Sequence, residues 1–195
     1  MKNSEDEEYE FAFDNTQFIL TREMTVYEHD VHFDSEIIQP SRYRRLISSL
    51  SSASEHDTFH FYFNSGGGSV ESAISIIAAI KNSQARVIAH IIGSCHSACS
   101  LIALNCPEIM VYEDGSMMIH PSHFGTAGHA LNVKVRSQFL SDIMDKMFKT
   151  TYTGFLTEDE LNNVRNGIEI WLTSKDIEAR LVTWLEAKNA ESENN

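Results

Sequence analysis

Apolar and polar positions alternate along this chain with two different periods. Thr58-Phe59-His60-Phe61-Tyr62-Phe63 is a short aromatic-rich run that stops at Asn64-Ser65-Gly66-Gly67-Gly68, which reads as a strand ended by a turn. After the glycines, Val70, Ala73, Ile74, Ile77 and Ile80 recur at helical spacing, with Glu71 and Ser75 on the other side. Arg86–Ile92 predicts a second strand, broken at Gly93. Ser97–Asn105 predicts a buried helix of small residues and then Leu101, Ile102 and Leu104, closed by Pro107. Short strands over Glu108–Tyr112 and Met117–His120 flank an Glu113-Asp114-Gly115 turn, and Gly125-Thr126-Ala127-Gly128 marks an extended loop. A long helical pattern runs from Ala130 to Tyr152, with Val135, Phe139, Ile143, Met147 and Phe148 three to four residues apart. Thr157-Glu158-Asp159-Glu160 fits a capping box for another helix, and Thr173 or Ser174 caps the last one. Strands alternating with helices predict βαβ units and a largely parallel sheet in an α/β fold.

Composition narrows the function classes. The 195 residues suit one domain, and 42% hydrophobic residues suffice for a real core. A net charge of −13 disfavours nucleic acid and anionic membranes as partners. Residues 1–36 hold eleven acids against Lys2 and Arg22, so most of that charge sits there and the body is only mildly acidic. The expected organisation is an acidic mobile arm over 1–15, one folded domain over 16–188 and a polar tail over 189–195. No apolar run approaches the ~20 residues that span a bilayer, and the acidic start is unlike a signal peptide. Cys95, Cys99 and Cys106 are crowded into one segment, unlike a disulfide framework. A cytoplasmic protein is expected.

Three segments at strand ends, where open α/β sheets place their sites, carry candidate chemistry, and Glu169 adds a fourth candidate. Ser65-Gly66-Gly67-Gly68-Ser69 lets backbone N–H groups face a ligand ahead of a helix, yet it matches neither common phosphate-binding glycine motif and is also an ordinary turn. Gly93-Ser94-Cys95-His96-Ser97-Ala98-Cys99-Ser100 sets small polar residues at a strand-to-helix junction, where a nucleophile can be exposed beside an oxyanion-binding N–H. Its cysteines suit a packed core better than a zinc site with His96, because no second ligand pair follows. His120, fixed by the strand before it and Pro121 after it, can serve as a general base. Glu169 lies in an apolar run and points away from Ile168, Ile170 and Leu172 if the run is extended; such a carboxylate needs a partner, and a histidine is a suitable one.

Taken in order, these segments resemble the proteolytic subunit of the Clp protease, from about Asp30 to Trp184. The resemblance rests on Phe63-Asn64-Ser65-Gly66-Gly67-Gly68-Ser69-Val70, on the Ile92-Gly93-x-x-x-Ser97 turn, on Met118-Ile119-His120-Pro121 and on Glu169-Ile170-Trp171-Leu172-Thr173. It implies a crotonase/ClpP-like fold of stacked ββα units with a long protruding handle helix. It also implies a serine endopeptidase that needs no cofactor or metal and degrades unfolded polypeptides. The implied nucleophile is Ser97, the base His120 and the acid Glu169, with Gly67 and Ala98 donating backbone N–H groups to the oxyanion. Gly66 stands where the family has proline, Ala98 where methionine is common, and Glu169 where aspartate is usual. The implied partners are further copies of the chain, in a heptameric ring or stacked tetradecamer, and an ATP-driven unfoldase. Two other readings are a catalytically silent ring component and an acyl-CoA enzyme of the related crotonase-like architecture.

Overall fold

The computed structural model describes residues 25–123 and 125–192, so the expected acidic arm over 1–15 lies outside the described residues. Phe59, Phe61 and Phe63 alternate with His60 and Tyr62, and the three phenylalanines are fully buried. That period of two fixes the strand, because one face of it is core. Its neighbours complete a sheet of β1 (Glu28–Phe33), β2 (Thr58–Ser65), β3 (Arg86–His96), β4 (Glu108–Val111), β5 (Ser116–Ile119) and β6 (Ile170–Thr173). The order is β1-β2-β3-β5-β6, with β4 also on β3. β4 and β5 occupy successive stretches of one strand, Ile88–Ile91 and Ser94–His96.

The helices are α1 (Arg44–Ser52), α2 (Val70–Asn82), α3 (Ala98–Ala103), α4 (Ala130–Tyr152), α5 (Glu158–Arg165) and α6 (Ser174–Ser192). Ile76 and Ile80 of α2, Leu101 and Ile102 of α3 and Leu50 of α1 join the phenylalanines in one core. Burial of each such side chain contributes about 1.5–3 kcal/mol before chain entropy is counted. The mixed α/β architecture agrees with the alternation of periods in the sequence.

Two element boundaries differ from the sequence expectations, while the sheet is largely parallel as expected. β3 does not break at Gly93 but continues to His96, since the missing side chain leaves room for Asn64: a Cβ there would lie 2.5 Å from Asn64 Oδ1. Asn64 Oδ1 also accepts from Ser94 N–H at 3.2 Å, so the glycine permits close pairing of β2 and β3. The sheet is parallel except where β6 pairs antiparallel with β5, Ile119 opposite Ile170. α6 runs through Ser192 into the expected tail, in keeping with helix formers such as Glu186, Ala187 and Lys188.

Candidate active site

The chain turns sharply where β3 becomes α3. Ser97 sits at that junction with φ 54° and ψ −120°, the one described residue other than glycine with positive φ. Such a conformation costs on the order of 1–3 kcal/mol and persists only where its surroundings fix it. Here Ser97 N–H donates to the Met118 carbonyl at 2.8 Å, tying the turn to β5. The Ser97 carbonyl accepts from Ser100 N–H at 3.0 Å and from Ser100 Oγ at 2.7 Å.

Because β5 is held against this turn, His120 arrives just beyond its end with Nε2 2.7 Å from Ser97 Oγ. The β5–β6 register, Ile119 opposite Ile170, sets His120 across from Glu169 when continued by one residue. The Glu169 carboxylate, however, accepts from the indole N–H of Trp171 at 3.0 Å, and among the described residues it makes no hydrogen bond to His120. Trp171 in turn meets His96 edge-on, ring centres 5.1 Å apart. Glu169 immediately precedes β6 and stands two residues from Trp171, so an extended chain there sets the two side chains on one side.

Burial holds the His120 imidazole below its ordinary pKa, and the neighbouring His123 pushes the same way. Glu169 opposes both, so its charge reaches the ring although its oxygens do not bond to it. The His123 ring lies 5.2 Å from that of His120. His123 is an exposed residue of the segment after Pro121, and the chain path there brings its ring beside His120.

Gly67 packs onto the Ser97 turn so closely that a Cβ would lie 2.6 Å from the His96 carbonyl and 2.9 Å from Ala98 N. Its N–H donates to Ser65 Oγ at 3.1 Å and faces the Cys99 thiol, away from the cleft. Gly68 instead lines the cleft with Ser97 and His120, and its N–H donates to none of the described residues. Ala98 N–H opens α3 and is likewise uncommitted among them, as the first donors of a helix are.

The cleft is a cavity of about 220 Å³ walled by Val70, Leu101, Met147, Phe148 and Tyr152 beside the Ser97–His120 pair. Its apolar walls suit a hydrocarbon side chain next to a reacting carbonyl. Cys95, Cys99 and Cys106 are buried in the core, and burial raises all three thiols, Cys99 to about 11. They are protonated packing groups at neutral pH. The described residues contain no group of three or more His, Cys, Asp or Glu able to hold a metal ion.

A family model described as Clp protease matches residues 15–183 of the chain. A search of curated proteins finds no match.

Proposed function

The chain belongs to the Clp protease family, and on that premise we propose that it is a serine endopeptidase with Ser97 as nucleophile, His120 as base and Glu169 as acid. The carrying observation is the 2.7 Å contact between Ser97 Oγ and His120 Nε2 at a turn whose backbone is locked on both sides of the serine. Ser97 Oγ attacks the peptide carbonyl as its proton passes to His120 Nε2. His120 then returns that proton to the leaving amine, and water repeats the sequence on the acyl-enzyme. A depressed imidazole pKa keeps the base neutral at pH 7, the form that accepts a proton. The negative charge of Glu169 favours the imidazolium as it forms.

Ala98 N–H and a glycine-loop N–H receive the oxyanion. In this state the open loop donor is Gly68 rather than the Gly67 that the motif suggests, because Gly67 N–H is engaged by Ser65. The apolar cleft fits an uncharged side chain before the cut bond.

The working form in this reading is a self-compartmentalised ring, heptameric or a stacked tetradecamer, that receives unfolded polypeptides from an ATP-driven unfoldase. Its support is the family and the exposed apolar stripe on α4, where Leu131, Val135 and Phe139 are 62–71% exposed. A cytoplasmic site agrees with three free thiols. No helix among the described residues is long and apolar enough to cross a membrane.

The bond from Trp171 to Glu169 favours one second reading, a ring component that assembles but does not cleave. A fluorophosphonate probe with peptide mapping separates the two. Active enzyme becomes labelled on Ser97, and Ser97→Ala loses both label and peptide cleavage. Cleavage that survives Ser97→Ala excludes the assignment, and assembly without any labelling selects the silent component.

A further inference from the structure

Ser100 lies one turn into α3, fully buried, where a hydroxyl needs partners. It has two. Its Oγ stands 2.7 Å from the Ser97 carbonyl and 2.6 Å from the hydroxyl of Tyr152, which is itself 2% exposed. A carbonyl can only accept, so the Ser100 proton goes to Ser97, and the Tyr152 proton must then go to Ser100 Oγ. The result is a directed chain, Tyr152 O–H to Ser100 O–H to Ser97 C=O, that ends on the nucleophile's own peptide group. That peptide group belongs to the residue held at φ 54°. Tyr152 is also the last residue of α4, a helix in which only Thr151 and Tyr152 are buried.

We propose that Tyr152 is a positioning residue for Ser97: acting through Ser100, it fixes the backbone of the nucleophile and makes the geometry of attack depend on how the end of α4 is seated. This rests on the serine-peptidase reading above and adds a residue outside the Ser97–His120–Glu169 set. Tyr152→Phe keeps the buried ring and removes the hydroxyl alone, and Ser100→Ala removes the middle of the chain. Misplacement of a nucleophile by a fraction of an ångström to an ångström typically costs ~10–10²-fold in rate.

The test measures the rate of fluorophosphonate labelling of Ser97, kcat and KM for a short peptide, and the thermal melt of each variant. Tyr152→Phe is expected to lower the labelling rate and kcat together by about tenfold, leaving KM within about twofold of wild type. Ser100→Ala should match it, and the double variant should lose no more than Ser100→Ala alone, since one residue acts through the other. A folded Tyr152→Phe that labels at the wild-type rate, a loss confined to KM, or a double variant with multiplied losses each overturns the proposal. If Tyr152→Phe fails to melt cooperatively, Ser100→Ala decides alone: an unchanged labelling rate overturns the proposal and a tenfold loss supports it. An unlabelled wild type removes the peptidase reading and this inference with it, whereas a labelled wild type with unaffected variants removes only this inference.

Discussion

His120 has two charged or chargeable neighbours that act in opposite directions, His123 beside it and Glu169 across the β5–β6 pairing. The proposed role as base requires the neutral ring, and burial lowers the pKa of His120, so the acid limb of kcat/KM should fall below pH ~6.5, the ordinary imidazole value. Removing the like charge in His123→Gln raises the pKa of His120 and should move that limb to higher pH. Glu169→Gln removes the opposing charge, should move the limb to lower pH, and should lower kcat by at least about tenfold as imidazolium stabilisation is lost. A pH series of peptide hydrolysis reads both shifts, and movement in the same direction for the two variants contradicts the electrostatic account. Ser97 and His120 were legible in the sequence because each lies in a short local motif at a strand end. The bond from Trp171 to Glu169 was not, since it depends on which rotamer a long carboxylate adopts once β6 is in register. Nor can composition separate Gly67 from Gly68: neighbouring glycines look alike until the fold engages the Gly67 N–H with Ser65 Oγ and leaves the Gly68 N–H without an acceptor among the described residues.

Two elements frame the site and respond to substitution in opposite ways. In the glycine loop, Gly66 has open space where a Cβ would be, whereas Gly67 has φ +96° and backbone atoms within 3 Å of that position. Gly66→Ala should therefore stabilise the fold by about 0.4–1 kcal/mol through the unfolded chain. Gly67→Ala should destabilise it by about 2 kcal/mol or more and abolish cleavage, because the loop can no longer lie against Ser97. Urea titration of the pair checks this contrast. Beyond the site, Thr157 and Glu160 close the capping box of α5 as the sequence predicts, and Glu160 also takes Arg180 of α6 in a two-pronged pair at 2.7 and 2.8 Å. The arginine holds the Glu160 carboxyl down at about 2. Its contribution is present above the unfolded glutamate value of ~4.3 and is lost as pH falls from there toward 2. With both side chains about three-quarters buried, Glu160→Gln should cost on the order of 2 kcal/mol at pH 7 and almost nothing near pH 2, measured by denaturant melts. The capping box and α4 were readable because their signals are local. β1 was obscured, since its inward set of His29, Val31 and Phe33 starts with a histidine, which the structure stacks on Phe59 at 4.3 Å.

For the molecule as a whole, α4 poses an imbalance that a single copy does not resolve. Leu131, Val135, Phe139 and Ile143 recur every four residues and form one stripe, 37–71% exposed. Apolar area of this kind yields roughly 25 cal/mol for each Å² removed from water, which favours a second copy against it. In the assembly proposed above, Val135→Glu with Phe139→Glu should reduce the native mass measured by light scattering while the far-ultraviolet spectrum stays unchanged. An unaltered mass would mean that α4 does not carry the assembly. The helical period alone records which face of α4 is apolar and not what covers it; the protruding handle helix implied by the family resemblance is what anticipated a face without a partner within the chain. The three buried thiols point to a different use of the molecule. Cys95 at the end of β3, Cys99 in α3 and Cys106 just past α3 lie in the one segment that carries Ser97, and they are 0–6% exposed. An alkylating reagent can reach them only when that segment opens, so the speed of thiol capture in native buffer becomes a built-in clock for local unfolding at the active site, read without any added label.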